Sequence, residues 1–154
     1  MIDEIYNDKI LGYAAHIDKI GRLPQPDATA QKHSRICGST VTVDLNMENG
    51  VVTGFAHIVR ACALGQASSS LMASHIIGLK ADELRSLRET VWQMLTKNGP
   101  VPTGKFADFA CLEPIKNYKA RQPSTMLTFD AVVDCIDQIE SRQKDGHNDN
   151  VSKP

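Results

Sequence analysis

Hydrophobic positions recur along the chain with two different periods, and the change of period separates predicted strands from predicted helices. Apolar residues at steps of three or four predict an amphipathic helix over residues 3–18, with Ile2, Tyr6, Ile10, Tyr13 and Ile17 on one face. Strict alternation over residues 39–47 predicts a strand, because successive strand side chains point to opposite faces. We expect its apolar side to face the helices that follow: Val41, Val43 and Leu45.

Turn signals join this strand to its neighbours. The dipeptide Asn49-Gly50 is a strong hairpin signal, so residues 51–59 are predicted to return antiparallel to the first strand. Residues 30–36 form a weaker strand candidate, and Gly21, Pro24 and Pro26 predict an extended crossing segment before it. The pattern therefore indicates a three-stranded antiparallel sheet with one face exposed.

The chain beyond the sheet reads as helical. A helix rich in small residues follows Cys62, and a second spans residues 81–97, with Leu84, Leu87, Val91 and Leu95 on one face. Residues 105–122 are ambiguous, and a last helix is predicted from Pro123 to about Arg142. Strands followed by helices predict an α+β domain with helices on one face of the sheet. We assign residues 1–142 to this domain and residues 143–154 to a polar, disordered tail.

Composition narrows the class of function. The 154 residues carry 17 Lys and Arg against 18 Asp and Glu, a balance that argues against a general nucleic-acid binder. No apolar run is long enough to span a membrane, so no membrane partner is expected. The N-terminal residues Met1 to Ile5 lack the features of a signal peptide, so we expect a cytoplasmic protein with reduced thiols.

Cysteines carry the candidate chemistry, and none of the four lies in a CxxC pair. Cys62 falls where the return strand ends and the small-residue helix begins. A helix N-terminus favours the thiolate, the form that attacks sulfur and binds metal. The alternative is a small buried thiol at a strand–helix corner. Cys37 precedes Gly38 on a loop at the edge of the sheet, where it is either a ligand or an ordinary turn residue.

The other candidates are weaker. Cys111 lies beyond the Pro/Gly break and is either a packed residue or a mobile ligand, whereas Cys135 is interpreted as a core residue of the last helix. The histidines do not cluster, and we interpret His57 on the return strand and His75 on the small-residue helix as structural.

Three segments together resemble the NifU/IscU-type iron–sulfur cluster assembly scaffold family, and most closely its SufU branch. They are Cys37-Gly38-Ser39, the run from Cys62 through the triple serine ending at Ser70, and residues 120–127 around Ser124. The long stretch between the second and third segments also resembles SufU. The resemblance implies a SufE/NifU-like (IscU-like) fold, in agreement with the α+β prediction.

The resemblance further implies a function and a ligand set. It implies a scaffold, not an enzyme, that accepts sulfur from a cysteine desulfurase and iron from a donor, holds a labile [2Fe-2S] cluster or zinc, and delivers its cargo to cluster-accepting apoproteins. Cys37 and Cys62 match family ligands, but Ser39 stands where the family has aspartate and Ser124 where it has cysteine. A serine hydroxyl is a poor ligand because it must lose a proton of very high pKa. Cys111 is therefore the candidate for a third sulfur ligand.

Two other functions remain open on this reading. Cys62 alone would suffice for a persulfide acceptor that relays sulfur from a desulfurase. Alternatively, the chain is a binding module that keeps the fold without a cluster. The serines at positions 39 and 124 favour these two alternatives, whereas the intact Cys62 segment favours the scaffold and the relay.

Overall fold

The computed structural model describes residues 6–35 and 38–152, with side chains described only as far as residue 143. Its elements follow the order α1 (Asp8–Ala15), β1 (Ala28–His33), β2 (Thr40–Glu48), β3 (Val51–Arg60), α2 (Ala63–His75), α3 (Ala81–Thr96) and α4 (Gln122–Ser152). Two 3-10 segments, Gly104–Asn117 and Lys119–Arg121, precede α4. The sequence order of strands followed by helices is thus confirmed.

The sheet is the predicted three-stranded antiparallel meander, in the order β1-β2-β3. Asn49 and Gly50 form the two-residue turn between β2 and β3, and both have positive φ, +54° and +78°. Asparagine and glycine tolerate this backbone conformation, so the turn matches the right-handed twist of the paired strands. β1 begins and ends earlier than the predicted 30–36, because Ala28 and Ala30 already face the core.

Helices cover one face of this sheet. α4 packs on β1 and β2, and α2 packs on β3. The three predicted inward residues of β2 are fully buried beneath them: Val41, Val43 and Leu45. The buried face of α3 is also as predicted, and its core residues include Leu84, Leu87, Val91 and Leu95. The α+β architecture with helices on one face is therefore confirmed.

Asp44 departs from the simple alternation of β2, because it belongs to the polar face yet is only 1% exposed. The segment after α1 crosses that face, and Arg22 donates to both Asp44 carboxylate oxygens at 2.7 and 3.0 Å. The Leu23 amide and the Thr29 hydroxyl donate to the same carboxylate. Burial by itself raises the pKa of Asp44, but these hydrogen bonds and the Arg22 charge outweigh it and lower the pKa.

The first helix is shorter than predicted, and the ambiguous stretch before the last helix is now defined. α1 spans Asp8–Ala15, not residues 3–18; its N-cap is Asn7, whose side chain accepts from the Ile10 amide, and residues 1–5 lie outside the described chain. The ambiguous stretch 105–122 forms 3-10 turns, with Pro114 inside the first segment, where an α-helix would be broken.

The last helix is longer than predicted. α4 continues to Ser152 instead of ending near Arg142. No helix-breaking proline interrupts residues 143–152, so the backbone there can continue as a helix. The division into a domain of residues 1–142 and a disordered tail of residues 143–154 stays a prediction. Over the described residues, none of the helices is both long and apolar enough to cross a membrane.

Candidate metal and sulfur site

Cys62 lies where the sequence places it, between the end of β3 and the start of α2. It is the N-cap residue of α2, with extended backbone angles, and its thiol is free and half-buried. Its side chain makes no capping hydrogen bond to the helix. The first turn of α2 contains no acidic residue, so the positive end of the helix dipole is not neutralised from within the helix.

Ser124, which belongs to α4, contacts Cys62 at the start of α2. Its Oγ lies 3.4 Å from Cys62 Sγ, and its hydroxyl is 3.2 Å from the Arg121 carbonyl oxygen, to which it donates. Ser124 is 1% exposed and belongs to the first turn of α4. The N-terminal turns of α2 and α4 therefore converge on the Cys62 thiol, as the matched family positions lead one to expect.

Two residues hold the start of α4 in this position. The Gln122 carboxamide donates to backbone carbonyls of α3 and the preceding 3-10 segment, including Leu95 O at 3.0 Å. Gly65 allows the close approach, because a Cβ there would lie 2.7 Å from Ala61 Cβ and 3.2 Å from the Ser124 carbonyl oxygen. Sequence analysis missed both residues; the small-residue run after Cys62 was the only signal for Gly65.

Cys37 lies outside the described residues, so its position toward Cys62 stays a prediction. The described residues on either side of it are placed. The amides of Ser34 and Gly38 bond the carbonyls of Ser39 and Ser34. Ser39 is 3% exposed and directly precedes Thr40, which pairs with Arg60 at the end of β3. Gly38 and Ser39 therefore lie at the same end of the sheet as Cys62.

Cys111 lies on the long 3-10 segment, and the charges of Lys9 and Asp108 act on its thiol. Burial raises the pKa of its thiol to about 11, although the Lys9 charge partly opposes this. Within residues 6–35 and 38–152, no three His, Cys, Asp or Glu side chains are grouped so as to hold a metal ion. The role of Cys111 as a third ligand therefore stays a prediction.

Cys135, His57 and His75 make structural contacts. Cys135 is fully buried and its thiol donates to the Val43 carbonyl, which confirms its assignment to the core. Burial raises its pKa to about 12. His57 is buried and its Nε2 donates to the Asp18 carbonyl at 2.8 Å; burial lowers its pKa. His75 donates from Nδ1 to Leu71 O and holds Asp108 at 3.2 Å through Nε2.

Comparisons with known proteins show the family of this chain. The family model of the NifU-like N-terminal domain matches residues 5–125. The chain is 30% identical to the iron–sulfur cluster assembly scaffold protein IscU of Thermotoga maritima, over 88% of this chain and 94% of that protein.

Two crystal structures share the fold. One, a nitrogen-fixing NifU-like protein (N-terminal) from Brucella abortus, is 60% identical, with a TM-score of 0.89 over 91% of this chain and 97% of that one. The other, a putative SUF-system scaffold protein (SufU) from Fervidobacterium islandicum AW-1, has a TM-score of 0.78 over 84% of this chain and 94% of that one. At 19% identity, this second likeness shows the fold alone.

The fold and the converging helix termini define a scaffold of the iron–sulfur cluster assembly class. The chain belongs to the family of NifU-like N-terminal domains.

Proposed function

We propose that this chain builds a labile [2Fe-2S] cluster from delivered sulfur and iron, holds it on Cys62 and Cys37, and passes it to acceptor proteins. The observation that carries the proposal is the 3.4 Å contact between Cys62 and Ser124, where the first turns of α2 and α4 meet. The half-buried thiol is open to incoming cargo, in contrast to the fully buried Cys135.

Electrostatics at this position suit anionic cargo. Each helix N-terminus carries about half a positive charge on unsatisfied amides. Thiolate ligands and sulfide ions are negative, so the N-terminus of α2, which begins at Cys62, stabilises them. A sulfur ligand must also be deprotonated to bind metal. This requirement counts against Cys111, because burial raises the pKa of its thiol to about 11.

Ser39 and Ser124 would weaken the binding of the cluster. Ser39 and Ser124 occupy the positions where the resembled family has aspartate and cysteine. Their hydroxyls remain protonated at neutral pH, so water or a partner side chain must complete the coordination. Incomplete coordination by this chain favours transfer, the step that a scaffold needs and a permanent cluster protein avoids.

Anaerobic reconstitution with ferrous iron and sulfide tests the proposal. Wild-type protein is expected to bind iron and acid-labile sulfide in equal amounts, and Cys62→Ala is expected to lose both. Cys135→Ala is the matched control, since it removes a thiol remote from solvent, with its folding checked by thermal melting. Equal cluster content in the wild type and Cys62→Ala would contradict the proposal.

A sulfur relay is the second candidate, favoured by the absence of acidic and cysteine ligands at positions 39 and 124. The Cys62 thiolate would attack the outer sulfur of a desulfurase persulfide. A new S–S bond forms at Cys62, the old one breaks, and the desulfurase cysteine leaves as a thiolate. The cysteine desulfurase performs the release of sulfur from L-cysteine, so this chain acts as a carrier.

Mass spectrometry after incubation with a cysteine desulfurase and L-cysteine separates the two functions. One extra sulfur atom on Cys62, without iron binding in the reconstitution, supports the relay alone. Extra sulfur together with iron and labile sulfide supports the scaffold. A chain that takes up neither sulfur nor iron would contradict both functions and would support the third reading, a binding module without a cluster.

A further inference from the structure

The exposed face of the sheet carries a row of polar side chains beside Cys62. Direct cross-strand partners place His33, Thr40 and Arg60 in one row across β1, β2 and β3. Val41 points into the core, so Thr40 and its row point outward. His33 Nδ1 lies 3.3 Å from Thr40 Oγ1, and Arg60 is two positions before Cys62 in the chain.

A cavity of about 430 Å³ opens on this face, lined by Arg22, Gln31, Thr40, Thr42, Ile58 and Arg60. Of its two arginines, Arg22 is paired with a carboxylate, whereas Arg60 has no such partner among the described residues. Arg22 is committed to the buried Asp44 carboxylate through two hydrogen bonds. Arg60 is exposed, and within the described part of the chain its guanidinium has neither an ion-pair partner nor a side-chain hydrogen bond. The cavity therefore keeps an uncompensated positive charge next to hydroxyl and carboxamide donors.

We propose that this cavity docks an acidic segment of a protein partner, with Arg60 as the anchor for a carboxylate. A guanidinium binds a carboxylate through two parallel hydrogen bonds, and the neighbouring threonine and glutamine groups supply further donors. The part of the sheet face that the crossing segment leaves uncovered has room for an extended segment, and Ile58 adds a half-buried apolar contact. The inference rests on the proposed function, because the exchange of sulfur or a cluster at Cys62 requires a partner protein to approach this end of the sheet.

Binding can be measured without any cluster or sulfur chemistry. Isotope-labelled full-length protein is titrated with a short polyglutamate peptide, and backbone amide shifts are followed by NMR. We expect saturable shifts concentrated at positions 31, 40, 42, 58 and 60, and no such response to polylysine. Arg60→Glu is expected to weaken polyglutamate binding at least tenfold.

Lys80→Glu is the matched charge reversal. Lys80 is exposed and bridges Val51 at the opposite end of β3, so its replacement is expected to change the affinity less than twofold. Thermal melting of both variants confirms that they fold. Equal weakening by both variants, or shifts scattered over all basic residues, would overturn the docking site.

Two further results would reassign the face and overturn the proposal. Inorganic phosphate that binds as tightly as the peptide, with the same shifts, would make it a small-anion site. The same shifts on raising the protein concentration alone would point to a second copy of this chain. Failure of docking leaves cluster reconstitution on Cys62 unaffected, and loss of reconstitution leaves the docking measurement intact, so the two proposals fail separately.

Discussion

Replacing Ser124 by cysteine tests whether the observed contact is a ligand position. Two thiolates bound to one tetrahedral zinc at about 2.3 Å lie about 3.8 Å apart. The present separation between Cys62 Sγ and Ser124 Oγ is 3.4 Å, and a Cβ–Sγ bond is longer than a Cβ–Oγ bond. The longer bond brings the two sulfur atoms closer together, so a cysteine at position 124 must rotate its Sγ away from Cys62 to reach the separation of about 3.8 Å that a shared zinc needs.

The expected gain is at least tenfold in zinc affinity, about 1.4 kcal/mol. The new thiolate replaces water as a ligand, and ordering it costs little because position 124 is already buried and fixed in the first turn of α4. Competition with a chromophoric chelator, under a thiol-free reductant that prevents a disulfide with Cys62, measures the change directly.

Ser124→Ala is the control, since it removes the hydroxyl and offers no ligand; we expect its zinc affinity to equal that of the wild type. If Ser124→Cys binds no more tightly than Ser124→Ala, the reasoning from the 3.4 Å contact is wrong. A Cys111→Ala variant then identifies the cause: lost affinity means that Cys111 already completes the site, and unchanged affinity means that positions 62 and 124 do not bind one metal.

Three further outcomes are expected. Cys62 should alkylate fastest and Cys135 slowest at neutral pH, with Cys111 between them. Burial raises the pKa of Cys135 to about 12 and that of Cys111 to about 11, and equal alkylation rates by mass spectrometry would contradict this order. Asp44→Asn should cost about 2 kcal/mol in urea unfolding at pH 7, and the difference should shrink as the pH falls through the lowered pKa of Asp44, since its carboxylate stabilises the fold only when ionised; a pH-independent difference would exclude this cause. Gly65→Ala should lower stability by about 1–3 kcal/mol despite better helix propensity, because its Cβ would lie 2.7 Å from Ala61 Cβ and 3.2 Å from the Ser124 carbonyl oxygen; an unchanged melting temperature would show that both neighbours can move away at no cost.

Local signals explain why the sheet was predictable. The hairpin needs only alternation along β2 and a dipeptide that accepts positive φ, and both are visible in a few consecutive residues. Asp44 shows where such signals end. Alternation places it on the exposed face, and only the crossing segment with Arg22, 22 residues earlier, turns that position into a buried ion pair.

The site was less predictable because its parts are distant in sequence. Cys62 and Ser124 are 62 residues apart, and no periodicity relates them; a family resemblance was the only basis for pairing them. The intervening 3-10 segment has no helical or strand period, so its path could not be followed from the sequence. Gln122 fixes the end of that path through three backbone carbonyls, a role that a lone glutamine does not reveal in advance.

The convergence of α2 and α4 separates two properties that a cysteine-rich site combines. The positive field at Cys62 comes from the backbone of α2, so replacing a ligand by serine leaves it in place. Metal affinity depends instead on the number of thiolates, and it falls with each one lost. Acceptance of anionic sulfur at Cys62 should therefore be less sensitive to the serines at positions 39 and 124 than metal binding is. Restoring Ser124→Cys should accordingly raise zinc affinity far more than it raises the rate of persulfide transfer to Cys62, and a parallel rise in both would show that the third thiolate, and not the helix field, governs sulfur acceptance.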